Sequence, residues 1–89
     1  MKQITINGKQ FSAILNIRAV SIYSDISGKD ISNVSSILDI TNLAYACIRA
    51  AEMKEGKAQE ISLDWLMDNV EVSELESIVS VLMPEGKGE

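Results

Sequence analysis

Apolar and polar positions alternate from Gln3 to Asn7 and again over Gln10, Phe11, Ser12 and Ala13, with Gly8 and Lys9 between the two runs. Asn-Gly between alternating runs predicts a β-hairpin closed by a type I′ turn, because both central residues of that turn take positive φ. With Asn7 and Gly8 at the centre, Ile6 faces Lys9, Ile4 faces Phe11 and Lys2 faces Ala13. Ile4, Ile6, Phe11 and Ala13 then share one face. A two-stranded ribbon is marginal in water, so helices must cover that face.

Beyond the hairpin, which spans 2–14, the period lengthens. Asn16 is placed to cap a helix over 17–27, with Gly28 as its left-handed stop. Its apolar stripe is Ile17, Val20, Tyr23 and Ile26, with Ala19 and Ile22 beside it. Ser32 to Ser36 is polar and predicts a connection with at most one helical turn. Asp39 is the next cap, opening a long helix over 39–55 with Ile40, Leu43, Ala44, Cys47, Ile48 and Ala51 at helical spacing and Gly56 as the stop. The small residues Ala44, Ala46, Ala50 and Ala51 suit a helix packed on several sides. Ser62 caps a third helix over 62–70 that carries Leu63, Leu66, Met67 and Val70, with Trp65 off its stripe. Ser73 and Glu76 have capping-box spacing and predict a fourth helix over 73–83 with Leu75, Ile78, Val79 and Leu82. Pro84 ends it, and 84–89 is expected to be a flexible tail. The expected fold is mainly α, formally α+β: an N-terminal hairpin and about four helices in a single domain, 1–83.

Composition narrows the function. The chain of 89 residues has 46% hydrophobic and 24% charged residues, which fits one folded domain and not a disordered segment. Its net charge of -5 is unevenly spread: residues 1–57 hold seven basic and five acidic side chains, and residues 58–89 hold one basic and eight acidic. No basic cluster is present to displace counterions from a phosphate backbone, which argues against nucleic-acid binding. No apolar run approaches the roughly 20 residues of a transmembrane helix, and no signal-peptide pattern follows Lys2, so a cytoplasmic chain is expected. The lone Cys47 lies in an apolar stretch and is expected to be a small core residue in a reducing compartment.

With no histidine, the chain has no Ser-His or Cys-His nucleophile pair, no imidazole base and no imidazole metal ligand. One cysteine cannot build a thiolate zinc site. Asp64, Asp68, Glu71, Glu74 and Glu76 could gather a hard cation, but they lack EF-hand spacing and read as a solvated face with acids near helix N-termini. Gly28-Lys29 and Gly86-Lys87 lack the remaining residues of a P-loop. No catalytic residue, metal or cofactor is expected. Ser62-Leu63 opens a helix as the modified serine of an acyl carrier protein does, but Ile61 stands where that motif has aspartate. An acyl-carrier-like protein and an antitoxin or regulatory inhibitor, both of similar size and acidity, are the alternative readings.

The order of features carries more than any one of them. The hairpin Ile4-Thr5-Ile6-Asn7-Gly8-Lys9 with Phe11, the helix end Ser27-Gly28-Lys29-Asp30-Ile31, the central Leu43-Ala44-Tyr45-Ala46, and Ser62-Leu63-Asp64-Trp65 before an acidic last helix resemble the tail assembly chaperones of long-tailed bacteriophages. The similarity extends over nearly the whole chain and rests on order, spacing and length. It implies a non-enzymatic role in virion morphogenesis in the bacterial host cytoplasm. The implied partner is the tape measure protein, a long helical chain kept soluble until the tail tube forms around it. In members lengthened by a translational frameshift, the extension contacts the tail tube protein. The chaperone itself is not expected in the mature virion.

Independently of that resemblance, a helical client with apolar stripes can be covered by an apolar groove. Ile22, Tyr45, Ile48, Trp65, Val81 and Met83 lie at or beyond the edges of the predicted stripes and are the candidate client or self-association surface. Weak, concentration-dependent self-association is expected of a protein that coats a long client. A hairpin edge guarded by Lys2 and Lys9 offers a second contact mode.

Overall fold

Asn7 and Gly8 adopt φ of 53° and 78°, the left-handed pair that the type I′ turn demands. The strands β1 (Lys2–Ile6) and β2 (Lys9–Ala13) pair antiparallel in the predicted register, Lys2 with Ala13, Ile4 with Phe11 and Ile6 with Lys9. Ile4, Ile6, Phe11 and Ala13 are all buried on one face. The computed structural model describes residues 1–83, and the tail expected at 84–89 lies outside the described residues. Four α-helices follow the hairpin: α1 (Ile17–Ser27), α2 (Ile37–Lys54), α3 (Leu63–Asn69) and α4 (Leu75–Leu82), with 3-10 turns at Ile31–Asn33 and Val72–Glu74.

The hairpin and α1 lie on α2, which also meets α3 and α4. From Asp39 to Glu52 nearly every residue of α2 is buried, and Ala44, Ala46, Ala50 and Ala51 let its neighbours approach on several sides. The Ile14 N–H donates to the Cys47 carbonyl at 3.1 Å, tying the exit of the hairpin to the middle of this helix. Its far end closes in a Schellman motif: Gly56 has φ 70°, its N–H donates to the Met53 carbonyl at 3.2 Å, and the Lys57 N–H donates to the Glu52 carbonyl at 2.8 Å.

Local capping accounts for most helix boundaries. The Asn16 carboxamide accepts from the Ala19 N–H at 3.0 Å, and the Ser62 hydroxyl accepts from the Trp65 N–H at 3.0 Å. Two caps differ from expectation. Helix α2 begins at Ile37, capped by Ser36, and Asp39 is the third helical residue of a capping box. The Ser36 hydroxyl accepts from the Asp39 N–H at 3.0 Å, and the Asp39 carboxylate accepts from the Ser36 N–H at 3.2 Å. This reciprocal pair satisfies two donors, whereas a cap at Asp39 would satisfy one. The Asp39 carboxylate also receives both hydrogen bonds of the Lys29 ammonium, at 2.9 and 3.1 Å, which joins the end of α1 to the start of α2.

Likewise, the box expected at Ser73 and Glu76 does not open the last helix. A 3-10 turn intervenes, in which the Glu71 N–H donates to Glu74 Oε1 at 3.0 Å, and α4 starts at Leu75. The other oxygen of the Glu74 carboxylate accepts from the Asn7 N–H at 3.3 Å, and the Asn7 carboxamide donates to Asn69 at 3.0 Å. The chain enters α4 where it docks on the hairpin turn, a contact between residues far apart in sequence.

The buried faces of two helices are rotated from the expected stripes. In α1 the buried residues are Ala19 and Tyr23, with Val20 and Ile22 half-buried, while Ile17 and Ile26 are exposed. The alanine sets a close approach to α2. In α3 only Leu66 is buried. Trp65 packs edge-on against Phe11, with centroids 5.8 Å apart and planes inclined by 70°. That aromatic contact draws the Trp65 side of α3 toward the hairpin and leaves Met67 outside. The Tyr23 hydroxyl and the Asn42 carboxamide oxygen are buried with no hydrogen-bond partner among the described residues.

Candidate functional site

The six residues expected at an interaction surface fall into the fold's own packing. Ile48 is 1% exposed, inside the core. Ile22, Tyr45, Trp65, Val81 and Met83 are half-buried against that core. Two of them have evident structural partners: Trp65 meets Phe11, and the Tyr45 hydroxyl accepts from the Gln59 carboxamide at 3.1 Å. Gln59 also donates to the Ile61 carbonyl at 2.8 Å, and the Glu60 N–H donates to the Glu52 carboxylate at 3.0 Å. Tyr45 and Glu52 thus secure the link between α2 and α3. No recess described among residues 1–83 brings these half-buried side chains together.

A different set of apolar residues does. At the start of α2, Ile37 and Leu38 are 56% and 53% exposed; across from them Met67 of α3 and Val72 of the following 3-10 turn are 47% and 69% exposed. These four flank a groove of about 420 Å³, floored by Leu66, Leu75, Val70 and Thr41. The Thr41 hydroxyl is turned back to the Ile37 carbonyl at 3.1 Å, so the wall presents mainly hydrocarbon. The volume lies within the roughly 300–1,000 Å³ range of ligand-sized recesses. Covering exposed apolar walls of this kind returns about 25 cal/mol per Å² removed from water.

Three features build the groove. The Ser36 cap places Ile37 and Leu38 on the first turn of α2, beyond the reach of the hairpin and α1. The Trp65–Phe11 contact rotates Met67 outward. Docking of Glu74 on the hairpin turn holds the 3-10 segment, and Val72 with it, beside α3. The Ser36/Asp39 spacing was a usable signal in the sequence for the first. Nothing local signals the other two, because each depends on a contact with the hairpin: Trp65 with the Phe11 ring and Glu74 with the Asn7 N–H.

The surroundings of the groove are acidic. Asp64, Asp68 and Glu71 are exposed on the segment that supplies Met67 and Val72. From 58 to 83 the chain holds six acidic residues and no basic one. The three ion pairs among the described residues are Lys29–Asp39, Arg49–Glu52 and Lys57–Glu55, and none involves this rim. Asp39, near the groove's α2 end, is held as a carboxylate: hydrogen bonds from Lys29, then from the Ser35 and Ser36 N–H groups, lower its pKa from 3.8 to about 2.

Among the described residues no three His, Cys, Asp or Glu side chains approach closely enough to hold a metal ion. Cys47 is buried in the core, and desolvation pushes its thiol up to about 12, so little of it is the reactive thiolate at neutral pH. The Ser62 hydroxyl serves as the cap of α3. Among the described residues no helix is long and apolar enough to cross a membrane. No protein-family profile, curated protein or solved structure matches the chain.

Proposed function

We propose that the chain is a non-enzymatic tail assembly chaperone of a long-tailed bacteriophage or prophage, which binds the helical tape measure protein and keeps it soluble in the host cytoplasm before the tail tube closes around it. The carrying observation is the apolar groove between the start of α2 and the α3/3-10 segment, whose four flanking side chains are about half exposed or more. An unpartnered apolar recess on a small domain is a recognition feature, and an amphipathic helix fills it by laying its apolar stripe along the walls. The acidic segment around it keeps the complex soluble while apolar surfaces are being covered. Release from the client on tube assembly leaves the chaperone outside the mature particle.

The test is co-expression with a candidate tape measure protein from the same genome, followed by affinity capture and measurement of the soluble client fraction. Co-purification and a higher soluble fraction are expected. A genome lacking a tail tube gene upstream and a very long helical reading frame downstream, or a client that stays insoluble and uncaptured, overturns the proposal.

A further inference from the structure

The groove and its charge together specify its occupant more closely than apolar character alone. A recess walled by Ile37, Leu38, Met67 and Val72 selects for hydrocarbon and does not discriminate among apolar partners. The rim does discriminate. On α3, Asp64 lies one turn before Met67 on the same side of the helix and Asp68 lies one turn beyond Asp64, while Glu71 precedes Val72 at the start of the 3-10 turn; all three are exposed. None is neutralised by an ion pair within the described residues, and Lys29, at the α2 end, is already committed to Asp39. Arg49 and Lys54 lie on the same helix as Leu38 but more than ten residues along it, which at about 1.5 Å per residue exceeds the Debye length of about 8 Å at physiological salt. Lys9 lies over the Phe11 ring at 5.5 Å from its centroid and makes no ion pair with these carboxylates, so the α3 and 3-10 segment keeps its net negative charge and a charged partner approaching the groove meets a negative field.

From this placement we infer that the groove receives an amphipathic helical segment of a partner protein whose apolar stripe is flanked by lysine or arginine. Apolar side chains at helical spacing fill the recess, and the flanking ammonium or guanidinium groups reach Asp64, Asp68 and Glu71. The long stems of lysine and arginine suit this geometry, since they lie along apolar surface while their heads remain in water. A second copy of this chain fits less well: its exposed apolar residues with basic neighbours, Ile17 beside Arg18 and Met53 beside Lys54, stand on different helices and form no continuous stripe along one helix. The inference rests on the client-binding reading above and names the chemistry of the client segment.

The experiment uses the full chain and two labelled synthetic peptides of about 18 residues, long enough for helical anchors at i, i+3, i+4 and i+7. Both share one leucine stripe; one has lysine flanks and the other glutamate flanks. Fluorescence anisotropy is expected to show the lysine peptide binding about tenfold more tightly, as a sum of several individually weak exposed charge pairs. That preference should shrink several-fold between about 50 and 500 mM salt. Met67→Ser with Val72→Ser should weaken binding by at least about tenfold while the circular dichroism spectrum and melting curve persist. Asp64→Asn with Asp68→Asn should erase the preference between peptides without abolishing binding.

Equal affinity for the two peptides, absence of binding to either, or insensitivity to the groove substitutions overturns the inference. So does a concentration-dependent dimer, seen by sedimentation, that disperses in the Met67/Val72 variant and is not displaced by the peptide, because a second copy then fills the groove. A tape measure protein that is captured equally well by the groove variant overturns this inference and leaves the chaperone role standing. Binding of the lysine peptide with no capture of the tape measure protein does the reverse.

Discussion

The two ends of α2 pack in opposite ways. From Asp39 to Glu52 it is enclosed by the hairpin, α1, α3 and α4, its side chains buried and its polar groups largely paired with neighbours. At its first turn, Ile37 and Leu38 face an α3/3-10 segment that keeps Met67 and Val72 exposed as well. The same helix thus runs from a saturated core into an unfilled apolar groove. Apolar residues near the hairpin find partners because the sheet face, α1 and α2 present complementary surfaces at close range. Those near the groove do not, because α3 is short and is turned toward Phe11 by Trp65. The enclosed end is where stability resides, and the open end is where an external partner gains most by binding.

The sharpest way to break this contrast is to damage the enclosed end. Leu43→Ala, at a fully buried position, should cost about 2–5 kcal/mol in chemical denaturation, enough to unfold a substantial fraction of a small domain. A cost below about 1 kcal/mol would mean that the core is not packed as described. Tyr23→Phe should act in the opposite direction. Its buried hydroxyl has no partner among the described residues, so removing it should raise stability by about 1 kcal/mol, and a marked loss would reveal a hydrogen bond to bound solvent.

At the transition between the two regions, Ser36→Ala removes the α2 cap and should cost about 1 kcal/mol. The Lys29–Asp39 link at the same place predicts a pH dependence. The carboxylate's pKa is about 2 in the folded state and near 3.8 when free, so the unfolded chain binds this proton more readily. Its stabilisation is therefore present above about pH 4 and is lost as pH falls toward 2. Asp39→Asn should flatten the denaturation midpoint across that interval, and an unchanged acid slope would dismiss the link. The smallest effect belongs to the open end: Met67→Ser with Val72→Ser should alter stability by no more than about 0.5 kcal/mol per site, the usual range for exposed positions. A loss comparable to Leu43→Ala would show that the groove is part of the core.

Legibility from sequence followed the range of the forces involved. The hairpin, its register and its buried face were all readable from Asn7-Gly8 and the two alternating runs, since turn stereochemistry and a period of two act between near neighbours. Asn16, Gly28, Ser62 and Gly56 marked helix ends for the same reason. Ser36 and Asp39 both carry capping chemistry and stand three apart, so local pattern alone does not choose between them; the reciprocal box makes Ser36 the cap and Asp39 the third helical residue. The box at Ser73/Glu76 lost to Glu74, whose carboxylate reaches the hairpin turn. The candidate surface residues follow from stripes on isolated helices, which carry no information about neighbouring elements. In the folded chain Trp65 turns α3 toward Phe11 and Tyr45 holds Gln59 of the link after α2, so both are packing groups, while Ile37 and Leu38 on the first turn of α2 and Met67 and Val72 opposite them stay exposed.

By itself, then, the sequence determined the elements and their order, the strand register, the absence of imidazole and paired-thiol chemistry, and the concentration of acid in the last third of the chain. These follow from composition and from interactions within a few residues. Only the tertiary structure decided which apolar side chains are covered and which line a groove, and that this groove lies in the acidic segment. The outcome depended on helix rotations set by contacts such as Trp65 on Phe11 and Glu74 on Asn7, between residues more than fifty positions apart, whose pairing no local pattern encodes.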